Sequence, residues 1–268
     1  MHKAKDIAVR PISQKDAVRI VKSQHYSGTF CRSSKLHLGV FLNGKCGGAM
    51  QFGSPLKREY VLPLVAGTKW NDMIELNRMA FADWLPRNSE SRALGWAMRY
   101  IRKQYPNIEW VLSFADGTQC GDGTIYRASG FVLTAIRKNT GLASFPDGRV
   151  VQMMTLHSNP TKPRPEASGK SYFQITGGKY NFARYVKEVG GKILSGHQLR
   201  YIYFLNPSAR KRLTVPEIPF AEIRRRGAGM YKGKSCVRSV DSDTPAVQVG
   251  EGGATPTRTL QKQKASRE

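Results

Sequence analysis

The sequence predicts a mixed α/β domain. Short apolar or alternating runs bounded by turn residues recur as strands, and two longer stretches between them carry apolar residues at helical spacing. Some strands adjoin through tight turns and others are separated by helices, so the order reads strand, helix, hairpin, strand, helix, strand, helix, strand, strand. A sheet built in that order holds both antiparallel and parallel pairs.

Ile7 to Val9 is a short strand ending before Pro11, and Ser13 caps a helix from Gln14 to about Ser23. Leu36–Phe41 and Gly47–Phe52 flank Asn43-Gly44, a strong hairpin signal. A long loop over 53–73 leads to Ile74–Phe81, an alternating strand that carries Arg78. Asn88 or Ser89 caps a helix that runs to Tyr105, with Leu94, Ala97, Met98 and Ile101 on its apolar face and Pro106 closing it. Trp110–Ala115 is a buried strand that ends at Asp116. Gly117, Gly121 and Gly123 follow, then a short helix from Thr124 with Gly130 as its stop. Phe131–Ile136 and Val150–Leu156 are the last strands of this part, joined loosely through Asp147-Gly148. Residues 159–170 hold three prolines and read as a linker. The expected division is a catalytic domain over 1–158, a basic extension over 159–240 packed on it, and a disordered tail over 241–268 where aromatic residues vanish.

Charge narrows the partner. Forty-three lysines and arginines face 19 acids, for a net charge of +24, and 17 of the basic residues with only four acids fall within 159–240. A polyanion, and nucleic acid in particular, suits that balance. Lys179, Arg184, Arg200, Arg210, Lys211, Arg212 and the run Arg224-Arg225-Arg226 are the candidate DNA contacts. They interleave with Tyr172, Phe173, Tyr180, Phe182, Tyr185, Tyr201, Tyr203 and Phe204, a mixture that stacks bases while neutralising phosphates, or else forms a half-buried face with solvated charges. No apolar run approaches the length of a membrane span. The four cysteines are far apart and read as free thiols of a reducing compartment.

The order of elements resembles the Gcn5-related N-acyltransferase fold. That resemblance implies that Ile74–Phe81 splays from the next strand to hold a pantetheine arm. It implies that Asn88–Arg92 receives a pyrophosphate at a helix N-terminus, and that Tyr126 protonates a leaving thiolate. The usual arginine- or glutamine-led glycine loop is absent; Ser91-Arg92-Ala93-Leu94-Gly95 stands in its place.

A closer resemblance is to the Mom proteins of Mu-like bacteriophages. It rests on His25-Tyr26-Ser27-Gly28, Glu75-Leu76-Asn77-Arg78, Asn88-Ser89-Glu90-Ser91-Arg92, Ser113-Phe114-Ala115-Asp116 and Gly123-Thr124-Ile125-Tyr126, in that order. The family implies conversion of adenine in double-stranded DNA to N6-carbamoylmethyladenine, protection from restriction enzymes, and work in the cytoplasm of an infected host bacterium. The alternatives are an N-acetyltransferase acting on protein or RNA and a non-catalytic nucleic-acid-binding protein.

Adenine N6 is a poor nucleophile, because its lone pair is delocalised into the ring, so the reaction needs a base or a strong electrophile. The candidate catalytic set is His25, Tyr26, Asp116 and Tyr126, with Asp116 as proton acceptor. Arg78, Asn88, Ser89, Ser91 and Arg92 are the candidate cofactor residues, for acetyl-CoA or another acyl or carbamoylmethyl donor. A second expectation is that His25, Tyr26 and Asp116 bind iron, since histidine with a carboxylate suits it. Homodimerisation is left open.

Overall fold

The computed structural model describes residues 2–231 and 234–235. In chain order its elements begin with β1 (Ala8–Pro11), α1 (Gln14–Gln24), β2 (Ser34–Leu42), β3 (Lys45–Gly53), α2 (Arg58–Val61), β4 (Met73–Phe81) and α3 (Ser89–Gln104). There follow β5 (Trp110–Asp116), α4 (Thr124–Ala128), β6 (Val132–Lys138), β7 (Leu142–Ser144), β8 (Val150–Gln152) and α5 (Met153–Ser158). The remainder comprises α6 (Tyr172–Thr176), α7 (Phe182–Glu188), β9 (Lys192–Ile193), β10 (His197–Phe204), α8 (Pro207–Arg210), α9 (Ala221–Arg225), β11 (Met230–Tyr231) and β12 (Lys234–Ser235).

Seven strands form one sheet in the order β1-β2-β3-β4-β5-β10-β6. The expected hairpin joins β2 to β3, with Asn43 and Gly44 both at positive φ, 50° and 76°. Every neighbouring pair is antiparallel except β4 with β5. That parallel pair is short, holding only the rungs Met73–Trp110, Ile74–Val111 and Glu75–Leu112. The separation has a local cause. The β3–β4 register jumps from Gln51–Arg78 to Phe52–Leu76, leaving Asn77 as an extra residue on β4. A bulge of this kind bends its strand and increases its twist, which carries β4 away from β5.

One sheet face is covered by α3 and α4. Leu94, Ala97, Met98 and Ile101 bury there against Met50, Phe52, Val111, Phe131 and Tyr201. The spacing of those α3 residues puts them on one stripe, and burying a side chain of this size contributes about 1.5–3 kcal/mol. On the opposite face, α1 packs Ala17, Ile20 and Val21 against Ala49 and Ala80. Further along that face Val61, Leu64 and Val65 cover Trp110, Leu112 and Ile202.

Residues after β6 depart from the sequence reading. β10 lies between β5 and β6, in the middle of the sheet. Residues 197–204 therefore belong to the main sheet, and the boundary expected at 158/159 falls inside an insertion over 139–196. That insertion has its own three-stranded sheet, β8-β7-β9, and its own core of Ala143, Phe145, Leu156, Tyr172, Phe182, Tyr185 and Val186. Asp147-Gly148 does make a turn, but between β7 and β8; from Met153 on, the expected strand is helix α5. The expected linker is folded too, with a 3-10 turn over Pro165–Ala167 and Ala167 buried. The expected tail, 241–268, lies outside the described residues.

Candidate active site

The splay of β4 from β5 opens a cleft at Leu76 and Ser113, and five of the expected residues meet around it. α1 ends at His25, whose backbone N–H still closes the last helical turn on Val21 O. The ring then tilts against Tyr26, with centroids 4.2 Å apart. The Ser27 N–H donates to His25 Nδ1 at 3.1 Å, and Ser27 Oγ lies 2.8 Å from the same nitrogen. Nδ1 is therefore an acceptor, and the ring proton sits on Nε2. Burial, and then the Arg78 guanidinium, push the His25 pKa down to about 4, so the ring is neutral at pH 7.

Tyr26 is half exposed. Burial raises its pKa first; Asp116, Cys120 and Tyr126 raise it further, while Arg78 opposes them. That set of neighbours defines the cleft, since it joins groups from the α1 end, β4, β5, the glycine loop and α4. Arg78 reaches it from β4, donating through Nε to Thr29 O at 2.9 Å and through a terminal nitrogen to Asn77 O at 2.6 Å. These bonds tie the loop after α1 to the bulge.

Asp116 ends β5 with both oxygens occupied. Oδ1 accepts from Thr118 N at 3.0 Å and Asn139 Nδ2 at 3.2 Å, and Oδ2 accepts from Gln119 Nε2 at 3.3 Å. The carboxylate thus holds the glycine loop as well as bordering the cleft. Gly123, at φ 84°, begins α4 pressed against Tyr201, where any Cβ would lie 2.4 Å from the ring. Only glycine allows that approach, and it carries Tyr126 to the cleft wall. Tyr126 is buried, and burial pushes its pKa up to about 12. Ser113 acts against that rise, and Cys120 and Glu75 add to it. Ser113 is itself fully buried, and its side chain lies close to the Tyr126 hydroxyl.

Glu75 is the residue that sequence reasoning left without a role. Burial raises its carboxyl to about 7, with the Asn77 side chain and Arg78 acting in the other direction. A carboxyl of that pKa at the root of the splay is matched to proton transfer near neutral pH. Its signal was a lone acid within the alternating Ile74–Phe81 strand. Ser113 and Cys120 were also missed, being unremarkable until β5 and its loop are folded.

The expected cofactor residues divide. Asn88, Ser91 and Arg92 line a cavity of about 400 Å³ together with Lys5, Gly95, Arg99 and Ala128. Three cations and the first turn of a 16-residue helix surround it, a setting that favours a phosphate group. Ser89 is turned away, 1% exposed and donating through Oγ to Pro86 O at 2.6 Å. Arg78 stands in the cleft instead of this cavity. The two places are neighbours, because Ala128 of α4 lines the cavity while Tyr126 of α4 faces the cleft.

The expected DNA contacts also divide. Arg210 forms a two-pronged pair with Glu217, Arg212 pairs with Glu109, and Arg225 and Arg226 share Glu222. Three surface glutamates thus partner four arginines, so these are not the free cations that the sequence reading took them to be. Arg200 is held by Thr134. Lys179, Arg184, Lys211 and Arg224 are exposed. Of the interleaved aromatics, Tyr172, Phe182, Tyr185 and Tyr201 are core residues, and Tyr180 stands out at 62% exposure. Tyr172, Phe182 and Tyr185 fill the insertion's own core, and Tyr201 fills that of the main sheet.

Iron on His25, Tyr26 and Asp116 finds no support: Nδ1 of His25 and both oxygens of Asp116 already accept local hydrogen bonds. No group of three or more His, Cys, Asp or Glu side chains suited to a metal occurs among the described residues.

A splayed parallel pair, a helix-end cavity beside it and a protonated tyrosine between the two define a transferase of the N-acyltransferase type. The profile of the Mom protein family matches residues 6–222, and the chain belongs to that family. It is 35% identical over 219 residues to the methylcarbamoylase Mom of Escherichia phage Mu, a match covering 79% of this chain and 81% of that one. Solved structures similar to it include a phosphinothricin acetyltransferase from Sinorhizobium meliloti at 9% identity (TM-score 0.42, 75% of this chain and 89% of that one). Another is an N-acetyltransferase from Staphylococcus aureus, also at 9% identity (TM-score 0.41, 75% and 99%). Overlaps that slight carry no weight; strand order and pairing define the fold.

Proposed function

We propose that the protein modifies adenine in phage DNA, converting it to N6-carbamoylmethyladenine in the cytoplasm of the infected host and so shielding the DNA from restriction enzymes. Membership of the Mom family over residues 6–222 is the observation that carries this reading. The net charge of +24 suits a DNA substrate.

The residues divide the work. Lys5, Arg92 and Arg99, with the N-terminus of α3, suit the phosphates of a CoA-like donor, and the β4–β5 cleft suits its arm. To give the carbamoylmethyl product that donor must carry a CH2–C(O)NH2 group in place of a simple acyl group, so that the N6–CH2 bond forms as the methylene carbon's bond to its leaving group breaks. As the new C–N bond forms, N6 loses a proton, and Glu75 is the carboxylate whose pKa suits its acceptance. Tyr126, protonated at neutral pH, supplies a proton to the leaving group. His25 offers Nε2–H as a donor to the base, and Arg78 holds the loop that presents His25 and Tyr26. Burial, and then the Asp116 charge, hold the Tyr26 hydroxyl in its protonated form, and Asp116 holds the glycine loop in place.

The test is mass spectrometry of nucleosides from the DNA of expressing cells. A new adenine species of the carbamoylmethyl mass is expected; unmodified adenine from cells that hold folded protein would overturn the reading.

A further inference from the structure

The sheet face opposite α3 and α4 carries an arrangement that the reaction above does not use. Phe114 points there from β5, next to the cleft, with 37% of its surface in solvent. It pairs with Arg200 across the β5–β10 ladder. Partners in an antiparallel ladder share a face, with Cβ atoms about 5 Å apart. One row further along, Asp116 pairs with Gln198, and Gln198 pairs with Arg137 of β6. Phe114 therefore lies on the same face as Asp116, whose carboxylate acts on Tyr26. Two exposed rings, Tyr26 and Phe114, border one end of β5.

Arg200 is fixed in place. Its Nε donates to Thr134 Oγ1 at 2.9 Å and a terminal nitrogen donates to Thr134 O at 3.2 Å, which leaves other donors unspent. Arg137 is exposed beside it, near enough to add to the effect of burial in lowering the Arg200 pKa to about 10. Neither arginine forms an ion pair among the described residues, whereas Arg210, Arg212, Arg225 and Arg226 all do. Two neighbouring cations with no acid between them repel one another, and an anion seated there relieves the repulsion.

An aromatic ring beside two unneutralised guanidinium groups matches a nucleotide: a flat base over the ring and its phosphate against the arginines. An adenine within a duplex cannot present N6 to a cleft, so it must leave the stack. We infer that Phe114 is the platform on which the extruded adenine stacks, and that Arg200 with Arg137 grips the phosphate flanking it. The inference rests on the adenine-modification reading. It goes beyond that reading by naming the face of the sheet that receives the DNA and the residue that selects an unstacked base.

The test uses full-length protein and a duplex that carries 2-aminopurine at the target position, a base whose fluorescence is quenched by stacking. Wild-type protein is expected to leave the fluorescence low, because the base passes from one stack to another. With Phe114→Ala the fluorescence should rise several-fold while the Kd for the duplex stays within threefold, and Phe114→Trp should restore the quenching. Arg137→Ala combined with Arg200→Ala should weaken binding at least tenfold. In cells, the modified-adenine yield should fall at least tenfold for Phe114→Ala and recover with Phe114→Trp. Equal fluorescence for wild type and Phe114→Ala overturns the inference, and means that something other than a base covers this face. If wild-type protein modifies adenine and Phe114→Ala does so at the same yield, the inference falls and the proposed function stands. If wild-type protein leaves adenine unmodified, both fall.

Discussion

Glu75 and Leu112 form the last rung of the parallel ladder between β4 and β5. The Glu75 carboxyl stands at the root of the cleft, shielded enough to titrate at about 7. Its folded pKa lies above its ordinary value of 4.5, so the folded state binds the proton more tightly than the unfolded state does. Stability should therefore decline as pH rises from 4.5 to 7, with the cost complete above that range. Glu75→Gln should unfold at higher urea than wild type at pH 8, by on the order of 1–3 kcal/mol, and show no gain at pH 4. The same variant should lose adenine modification by roughly 10²-fold if Glu75 takes the N6 proton. Undiminished yield would remove it from the chemistry.

His25 titrates with the opposite sign. Its folded pKa of about 4 lies below its ordinary 6.5, so it contributes stability that is complete above pH 6.5 and is lost as the pH falls towards 4. His37, His157 and His197 are also lowered, so the measurement must be a difference between proteins. His25→Gln is expected to show a shallower loss of urea midpoint between pH 7 and pH 5 than wild type. Matching slopes would mean that His25 is not held neutral by the fold.

Asp116→Ala should cost stability as well as activity, because it strands three donors, those of Thr118, Gln119 and Asn139. Asp116 is half-buried, so stranding these donors should cost up to about 1–3 kcal/mol, the range for a fully buried group. Asp116→Asn keeps one acceptor oxygen, enough for Thr118 and Asn139. It should recover most of the melting temperature while leaving Tyr26 without its neighbouring charge. Equal melting temperatures for the Ala and Asn variants would show that these bonds hold little.

Gly95 lines the cavity at α3, and a Cβ there would meet only the flexible end of Arg99, at 3.6 Å. Gly95→Ala should stabilise the protein by up to about 1 kcal/mol through helix propensity. Gly95→Leu should fill the cavity. Adenine modification is expected to drop sharply in the leucine variant at unchanged DNA affinity; retained activity would move the donor elsewhere.

Salt dependence separates the two kinds of basic residue. Replacing Lys179, Arg184, Lys211 and Arg224 together by alanine should flatten the log–log slope of DNA affinity against salt, by roughly 0.9 for each phosphate left without its cation. Replacing Arg225 and Arg226, which are committed to Glu222, should change that slope little. The reverse result would show that DNA pulls those arginines from their carboxylate.

Apart from the short helix α2 and the turn after it, which lie within the expected loop over 53–73, the sequence by itself determined the elements as far as β6. Their signals are local: Ser13 caps α1, Asn43-Gly44 turns the hairpin, Gly130 stops α4, and apolar spacing sets the stripe of α3. It also singled out His25, Tyr26, Arg78, Asp116 and Tyr126, which the fold brings together around the β4–β5 cleft. Tertiary structure alone decided the rest. A strand such as His197–Phe204 carries no mark of which neighbours it will pair with, so its insertion between β5 and β6 was not legible as local pattern. The fate of the basic residues depended on acids far along the chain, as with Arg212 and Glu109. The pKa of Glu75 depended on burial and on a bulge at Asn77 that only the β3–β4 pairing creates. Periodicity reports what a residue does to its own segment; charge pairing, desolvation and register are properties of what the fold sets beside it.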